Sequence, residues 1–276
     1  MPRNEYSSLR QGLVGAWCPS LGASGYRLID RSGKNAHGTL TNMDGQGNWR
    51  ASGSGVALNF DGTNDYVTGS DRTGLSGNAP YTFSAWVYVT SAAAQGAIVY
   101  AGGTTFPLLL RVNTTRSLTI NGGPPACSTA AAVVPLAAWA HVAVVYLGTV
   151  VIESLVFVNG IQRTITQDSA PNGNVAINWN SANPIQFGAR NGPVGFLNGQ
   201  LDDIRIYNRA LTRAEILLLA SRRGIGLTPL PDRAAGLPRR FSVNVGGTWR
   251  EADSYVNVGG VWKLGQPSVN VGGVWK

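Results

Sequence analysis

Short runs in which apolar and polar residues alternate recur along most of the chain. In YTFSAWVYVT, residues 81–90, Phe83, Ala85, Val87 and Val89 fall on one face and Trp86 and Tyr88 on the other, the period-2 pattern of a strand. The same signal predicts strands over 56–60, 65–68, 97–101, 108–112, 117–120, 139–146, 155–158, 185–188 and 201–207. Gly, Asn and Thr separate them, and Asn159-Gly160 is the dipeptide of a two-residue hairpin turn. One segment breaks the pattern. Residues 212–221, TRAEILLLAS, read as a helix, with Thr212 as N-cap and Glu215 three residues on completing a capping box. Many short strands and one helix predict an all-β domain, a two-sheet antiparallel jelly roll.

The alternation stops after residue 221. GIGLTPLPDRAAGLPRR, residues 224–240, is rich in Pro, Gly and Arg and reads as an extended linker. A 13-residue repeat follows: VNVGGTWR at 243–250, then VNVGGVWK at 256–263 and 269–276. Each repeat predicts a hairpin turning through Gly-Gly. A lone hairpin is marginally stable in water, and Trp249, Trp262 and Trp275 need cover. They are the expected anchors of a docking or oligomerisation tail. The predicted organisation is a jelly roll over 1–221 with an N-terminal arm at 1–9, a linker over 222–240 and a repeat tail over 241–276.

Composition narrows the picture. Gly is 36 of 276 residues, nearly twice the ordinary ~7%, which excludes long helices, since Gly inside a helix costs about 1 kcal/mol. The formal charge is +8, with the larger excess in the tail. The tail arginines are spread out, whereas nucleic-acid modules concentrate basic residues on one face, so no nucleic-acid partner is expected. Cys18 and Cys127 form no CxxC motif and no disulfide framework; two small buried side chains are expected, with pairing left open. No apolar run is long enough to span a membrane. The start, MPRNEYSSLRQGLVGAW, lacks the apolar stretch of a signal peptide, and the expectation is a chain made and folded in a cytoplasm.

Several segments resemble the LamG-like (laminin G, concanavalin A-like lectin/glucanase) family. They are GLVGAW at 12–17, LIDRSG at 28–33 with HGTL at 37–40, LNFDGTNDYV at 58–67 and YTFSAW at 81–86. WAHVAV at 139–144, VFVNG at 156–160, FG at 187–188 and GQLDDIRIYNRAL at 199–211 continue in the family's order. The resemblance covers about residues 10–221 and implies a jelly roll of two antiparallel sheets, the concave one often carrying ligand. It leaves activity open, because a shared fold hosts many functions. Tandem VNVGGVWK-type repeats after such a domain look like those of tailed-bacteriophage structural proteins. The resulting expectation is a virion structural protein, a capsid decoration or a tail or fibre component. Its partners would be other virion proteins or its own copies, a trimer among the options, with glycans as a ligand class. The alternatives are a cellular carbohydrate-binding or adhesion module and a glycoside hydrolase.

The residues disfavour the hydrolase. A retaining glycosidase needs two carboxylates about 5–5.5 Å apart, which strands supply at i, i+2, and no such pair occurs within residues 10–221. Asp202 and Asp203 are adjacent, so a regular strand would point them to opposite faces. His141 reads as structural, and His37 has no Ser or Cys nucleophile motif near it, so no catalytic residue is expected. For metal, the loop at 30–37 offers Asp30 and Asn35, and the resemblance implies a structural Ca²⁺ held there together with Asp202. The other reading is an Asx turn at Asp30, and Arg31 and Lys34 count against a cation. For saccharide, Trp86, Tyr88, Tyr100 and Trp179 are the candidate platforms, with Trp86 expected to be buried and Trp179 exposed. Arg111, Asn113 and Arg190 are the candidate hydrogen-bonding neighbours.

Overall fold

The structure is a computed structural model that describes residues 6–45, 48–53, 55–101, 107–121, 126–168, 176–180, 182–190 and 193–227, together with the backbone of hairpins in the C-terminal region. It divides into two compact units, one spanning Arg3–Thr228 and the other made of Met1–Pro2 and Pro229–Lys276.

The first unit is the two-sheet antiparallel sandwich that the alternation predicts. One sheet has eight strands, running 161–163, 155–158, 139–146, 81–89, 198–207, 56–61 and 49–51, with Leu13–Trp17 also on the Asn198–Tyr207 strand. The other has nine, running 165–167, 126–129, 118–121, 108–112, 96–101, 185–187, 66–69, 38–41 and 27–28. Some consecutive strands change sheets. Val56–Asp61 belongs to the first and Tyr66–Gly69 to the second, so the DGTN turn between them is an arch. Asp61 Oδ1 holds that arch by accepting from the amides of Thr63, Asn64 and Asp65.

The two inner faces meet in a continuous core containing Phe60, Val67, Phe83, Val87, Val99, Leu110, Ile120, Val142, Val144, Leu201 and Ile206. Alternation is what makes this work: along Tyr81–Val89 the inward residues are fully buried while Trp86 and Tyr88 are half-buried on the other side. Gly188 sits at φ +80°, and a Cβ there would lie 2.2 Å from the Phe60 ring, so glycine alone suits both the backbone and the packing. Asn159 and Gly160, at φ +52° and +73°, make the tight turn between the paired residues Val158 and Ile161, the left-handed geometry of a two-residue hairpin.

The outer face of the eight-strand sheet is capped. The helix Arg213–Ser221 starts on the capping box of Thr212 and Glu215 and packs over that sheet with Leu9, Val145, Phe157, Tyr207, Ile216, Leu219 and Ile225. Arg209 ties the cap together: it pairs with Glu215 at 2.6 Å and donates to the carbonyls of Ser8 and Gln11.

Two predicted boundaries move. The arm at 1–9 ends in the sandwich, because Leu9 is buried in the cap. The linker does not begin at 222: Arg223 to Leu227 fold back on the sheet, where Arg205 donates to the Ile225 carbonyl at 2.6 Å and the Gly224 amide donates to Asp203 at 2.8 Å. Among the described residues no helix is long and apolar enough to cross a membrane.

In the second unit the three repeats form three two-stranded hairpins with one register. Asn244 pairs with Trp249, Asn257 with Trp262 and Asn270 with Trp275. The side chains of Trp249, Trp262 and Trp275, and the linker at 228–239, lie outside the described residues.

Candidate functional site

Two of the three side chains named for calcium are already engaged by donors. The Asp30 carboxylate accepts four hydrogens: Oδ1 from the amides of Ala16 and Ser32, and Oδ2 from the Ser32 hydroxyl and the Ala36 amide. Its amide in turn donates to His37 Nδ1, so the loop is knotted around this one side chain. The strand Leu13–Trp17 lies between Asp30, which bridges Trp17, and the Asn198–Tyr207 strand that carries Asp202. Asn35 is exposed at φ +56°. Asp202 is fully buried, accepts from the amides of Ser20 and Asp203, and faces Arg223 at 3.5 Å. Six to eight oxygens are needed for Ca²⁺; these three side chains are apart, and two are occupied by N–H, O–H or guanidinium groups. Among the described residues no three His, Cys, Asp or Glu group together to hold a metal.

The opposite-face expectation for Asp202 and Asp203 falls. Asp202 pairs with Trp86 and Arg205 with Ser84, so Asp203 and Ile204 together oppose Ala85. This β-bulge, with Asp203 at φ +47°, re-aims the backbone and brings both carboxylates under the cap. Asp203 and Arg205 form a bidentate pair at 2.7 and 2.9 Å. Burial, more than the neighbouring Asp203 charge, pushes the Asp202 carboxyl up to about 6. Burial together with the Arg205 charge holds His141 down at about 3. Cys18 and Cys127 are both free and buried, and burial raises both thiols, that of Cys18 well above its usual range.

Trp179 is buried rather than exposed: its Nε1 donates to Asp71 at 2.6 Å and its ring meets Tyr81 edge-on at 5.0 Å. Ile177 and Trp179 point in while Asn178 and Asn180 point out, an alternation readable in the sequence. Trp86 and Tyr88 belong to the capped face; the Trp86 Nε1 donates to the Leu219 carbonyl of the helix at 3.2 Å. Asn113 is a turn residue whose Oδ1 accepts from Thr115 and Ser117, although its Nδ2 reaches Thr119 at 3.3 Å.

The outer face of the nine-strand sheet is different. Register aligns two rows of side chains across it. One row runs Thr39, Thr68, Gln186, Tyr100 and Leu109. The other runs Ala97, Arg111, Thr119, Ser128 and Thr166. Thr119 and Ser128 share a hydrogen bond at 2.8 Å, and Ser128 donates to Asp168 at 2.7 Å. The buried Arg111 Nε and Gln186 Oε1 have no partner, a costly state for buried polar atoms.

Arg190 joins this face. Its backbone pairs with Val194, and its side chain passes Gly195, with Nε 3.7 Å from where a Cβ would stand. The Gly195 carbonyl accepts from the amide of Ala97, the register partner of Arg111. Burial first, then the Arg190 charge, lowers the Arg111 pKa, with Asp168 acting against them. At one end of the face a cavity of about 400 Å³ is lined by His37, Thr39, Thr68, Ser70, Asp71 and Asn183. The structure thus brings Arg111 and Arg190 together and adds Gln186, Thr68, Thr119 and Ser128. The signal for these was hydroxyl or amide residues at alternate positions within otherwise apolar strands, as in Ile185-Gln186-Phe187.

Solved structures share this fold. Domain 4 of AbnA, a GH43 extracellular arabinanase from Geobacillus stearothermophilus, in complex with arabinotriose, is 18% identical over 75% of this chain and 98% of its own, with a TM-score of 0.56. The binding domain of Paraclostridial Mosquitocidal Protein 1 is 15% identical over 77% of this chain and 52% of its own, at 0.56. Trypanosoma rangeli sialidase is 18% identical over 75% of this chain, at 0.54, and the chain spans 32% of the sialidase's length. At these identities the likeness is one of fold. No curated protein sequence matches. The family described as the concanavalin A-like lectin/glucanases superfamily matches residues 61–217. With that match spanning more than half of the chain, on a sandwich of the corresponding architecture, this protein belongs to the concanavalin A-like lectin/glucanase superfamily.

Proposed function

We propose that the sandwich is a non-catalytic lectin-type module that binds saccharide on the outer face of its nine-strand sheet, and that the chain is a structural component of a phage-type virion. The observation that carries the saccharide reading is the pair of unpartnered buried polar atoms, Arg111 Nε and Gln186 Oε1, among rows of hydroxyls beside a polar cavity. Saccharides present closely spaced hydroxyls, and such rows match them with donors and acceptors. The non-catalytic reading is supported by the one adjacent carboxylate pair, Asp202 and Asp203, being buried beneath the cap and engaged with arginines.

The virion reading is supported by the repeat tail. Three hairpins with one register offer the same docking element three times, attaching the sandwich to a particle or to further copies, a trimer included. Display in many copies would raise a weak single-site affinity through avidity, by about 10²–10⁴. A second reading, a carbohydrate-binding or adhesion module of a cell, is favoured by the match to nearly the whole of an arabinanase domain.

Light scattering separates these two. A full-length oligomer that becomes a monomer when cut after Leu227 supports the assembly tail, and a monomer in both forms favours the cellular module. A glycan array with the full chain tests the shared premise, and retention of no saccharide ends it.

A further inference from the structure

The saccharide face brings two arginines together. Arg111 stands in the second row between Ala97 and Thr119, and its buried Nε has no partner. Arg190 is exposed and passes over Gly195 beside Ala97, which puts a second guanidinium next to the first. The nearest carboxylate with a resolved influence on Arg111 is Asp168, and its Oδ2 is engaged by the Ser128 hydroxyl. Two like charges placed together, one of them half-buried, repel each other unless an anion lies between them. Guanidinium groups also have the flat two-pronged geometry that matches carboxylate and sulfate oxygens.

The geometry points to Arg111 and Arg190 as an anion-recognition pair, so that the saccharide taken by this face carries carboxylate or sulfate groups. This rests on the saccharide reading above and adds the ligand class. Most of the excess charge of the chain is in the tail sequence, so general attraction to polyanions is a separate effect that the experiment has to remove.

The experiment is calorimetric titration of the full chain with three probes: a polygalacturonate oligomer, the same oligomer with its carboxyl groups reduced to alcohols, and a sulfated galactan oligomer. At least one charged probe is expected to bind about tenfold or more tightly than the reduced one, the scale of one charge-assisted hydrogen bond. R111Q and R190Q are each expected to lose about that factor toward the charged probe and little toward the reduced one. R213Q, an equal charge change on the exposed start of the helix, is expected to change nothing. Carboxylate and sulfate sources are told apart by which charged probe is preferred.

Equal affinity for the reduced and charged probes overturns the anion pair while leaving saccharide binding intact. A loss in R213Q equal to that in R111Q also overturns it, because the attraction is then nonspecific. No heat with any probe overturns this inference for the probes' classes, and the array on the same chain then decides whether the saccharide reading falls with it. Should R111Q fold poorly, R190Q, at an exposed position, carries the test alone.

Discussion

The two sheets of the sandwich have outer faces built to opposite ends. Over the eight-strand sheet, Leu9, the helix Arg213–Ser221 and the segment through Ile225 close an apolar cluster, and the charges beneath them are paired: Asp203 with Arg205, Arg209 with Glu215. Over the nine-strand sheet the corresponding positions are Thr, Ser, Gln and Arg, with Ala97, Tyr100 and Leu109 as the one small apolar group. Both faces keep buried polar atoms without hydrogen-bond partners, Ser84 Oγ, His141 Nδ1 and Asp202 Oδ2 on the first and Arg111 Nε and Gln186 Oε1 on the second, a costly state in either place. The difference lies in what surrounds them: apolar residues and paired charge beneath the cap, rows of hydroxyl and amide groups on the other sheet.

The largest effect that would break this contrast lies in the capped charges. Replacing Arg205 by Met leaves Asp203 buried with its bidentate partner gone, and the expected loss is about 3–5 kcal/mol in denaturant unfolding; a loss below 1 kcal/mol would show that the cap does not depend on the pair. The boundary gives the next. Ending the chain after Ser221 removes Ile225 from the cap and the Gly224 amide from Asp203, with an expected loss of about 3 kcal/mol. Ending it after Leu227 is expected to leave the sandwich as stable as in the full chain, and equal unfolding midpoints for the two truncations would return the boundary to 221.

Acid titration sharpens the comparison further. Asp202, raised to about 6 by burial, binds its proton more tightly folded than unfolded, so its contribution to stability is present below about pH 4 and lost as pH rises through 6. His141, held near 3 by burial and Arg205, binds its proton less tightly folded, so its contribution is present above about pH 6.5 and lost as pH falls toward 3. The two oppose each other between about pH 4 and 6. D202N is expected to unmask a fall in stability on acidification, and H141L a rise, each of order 2 kcal/mol across that window; parallel pH profiles for the two variants would contradict the assignment. The smallest effect belongs to the open face. R190Q is expected to change unfolding free energy by less than about 0.5 kcal/mol, and a larger loss would make Arg190 part of the scaffold instead of the ligand face.

Much of the sandwich was legible along the chain. Trp139–Tyr146 and Leu155–Val158 are strands with the bounds that their alternation predicts, and Asn159-Gly160 and Thr212–Glu215 make the turn and the cap that their chemistry prescribes. These are local signals, fixed by residues within a few positions of one another. The short edge strands, such as Arg27–Leu28 and Ile165–Gln167, gave no such signal, because two or three residues cannot show a period and their pairing comes from neighbours far away in sequence. Trp179 was misplaced for want of reading Ile177 with it.

The sequence by itself determined the all-β sandwich, the helix Arg213–Ser221 and the three hairpins of one register, since hydrophobic period, capping residues and turn dipeptides act at short range. Tertiary structure decided what the polar residues do. The bulge at Asp203 brought two adjacent carboxylates under one cap, the Ala16 amide of another strand closed on Asp30, and strand register set Arg111 opposite Ala97, beside which Arg190 passes. Pairing between strands is set by the global packing of two sheets, and a side chain's partners follow from that packing and not from its neighbours in sequence.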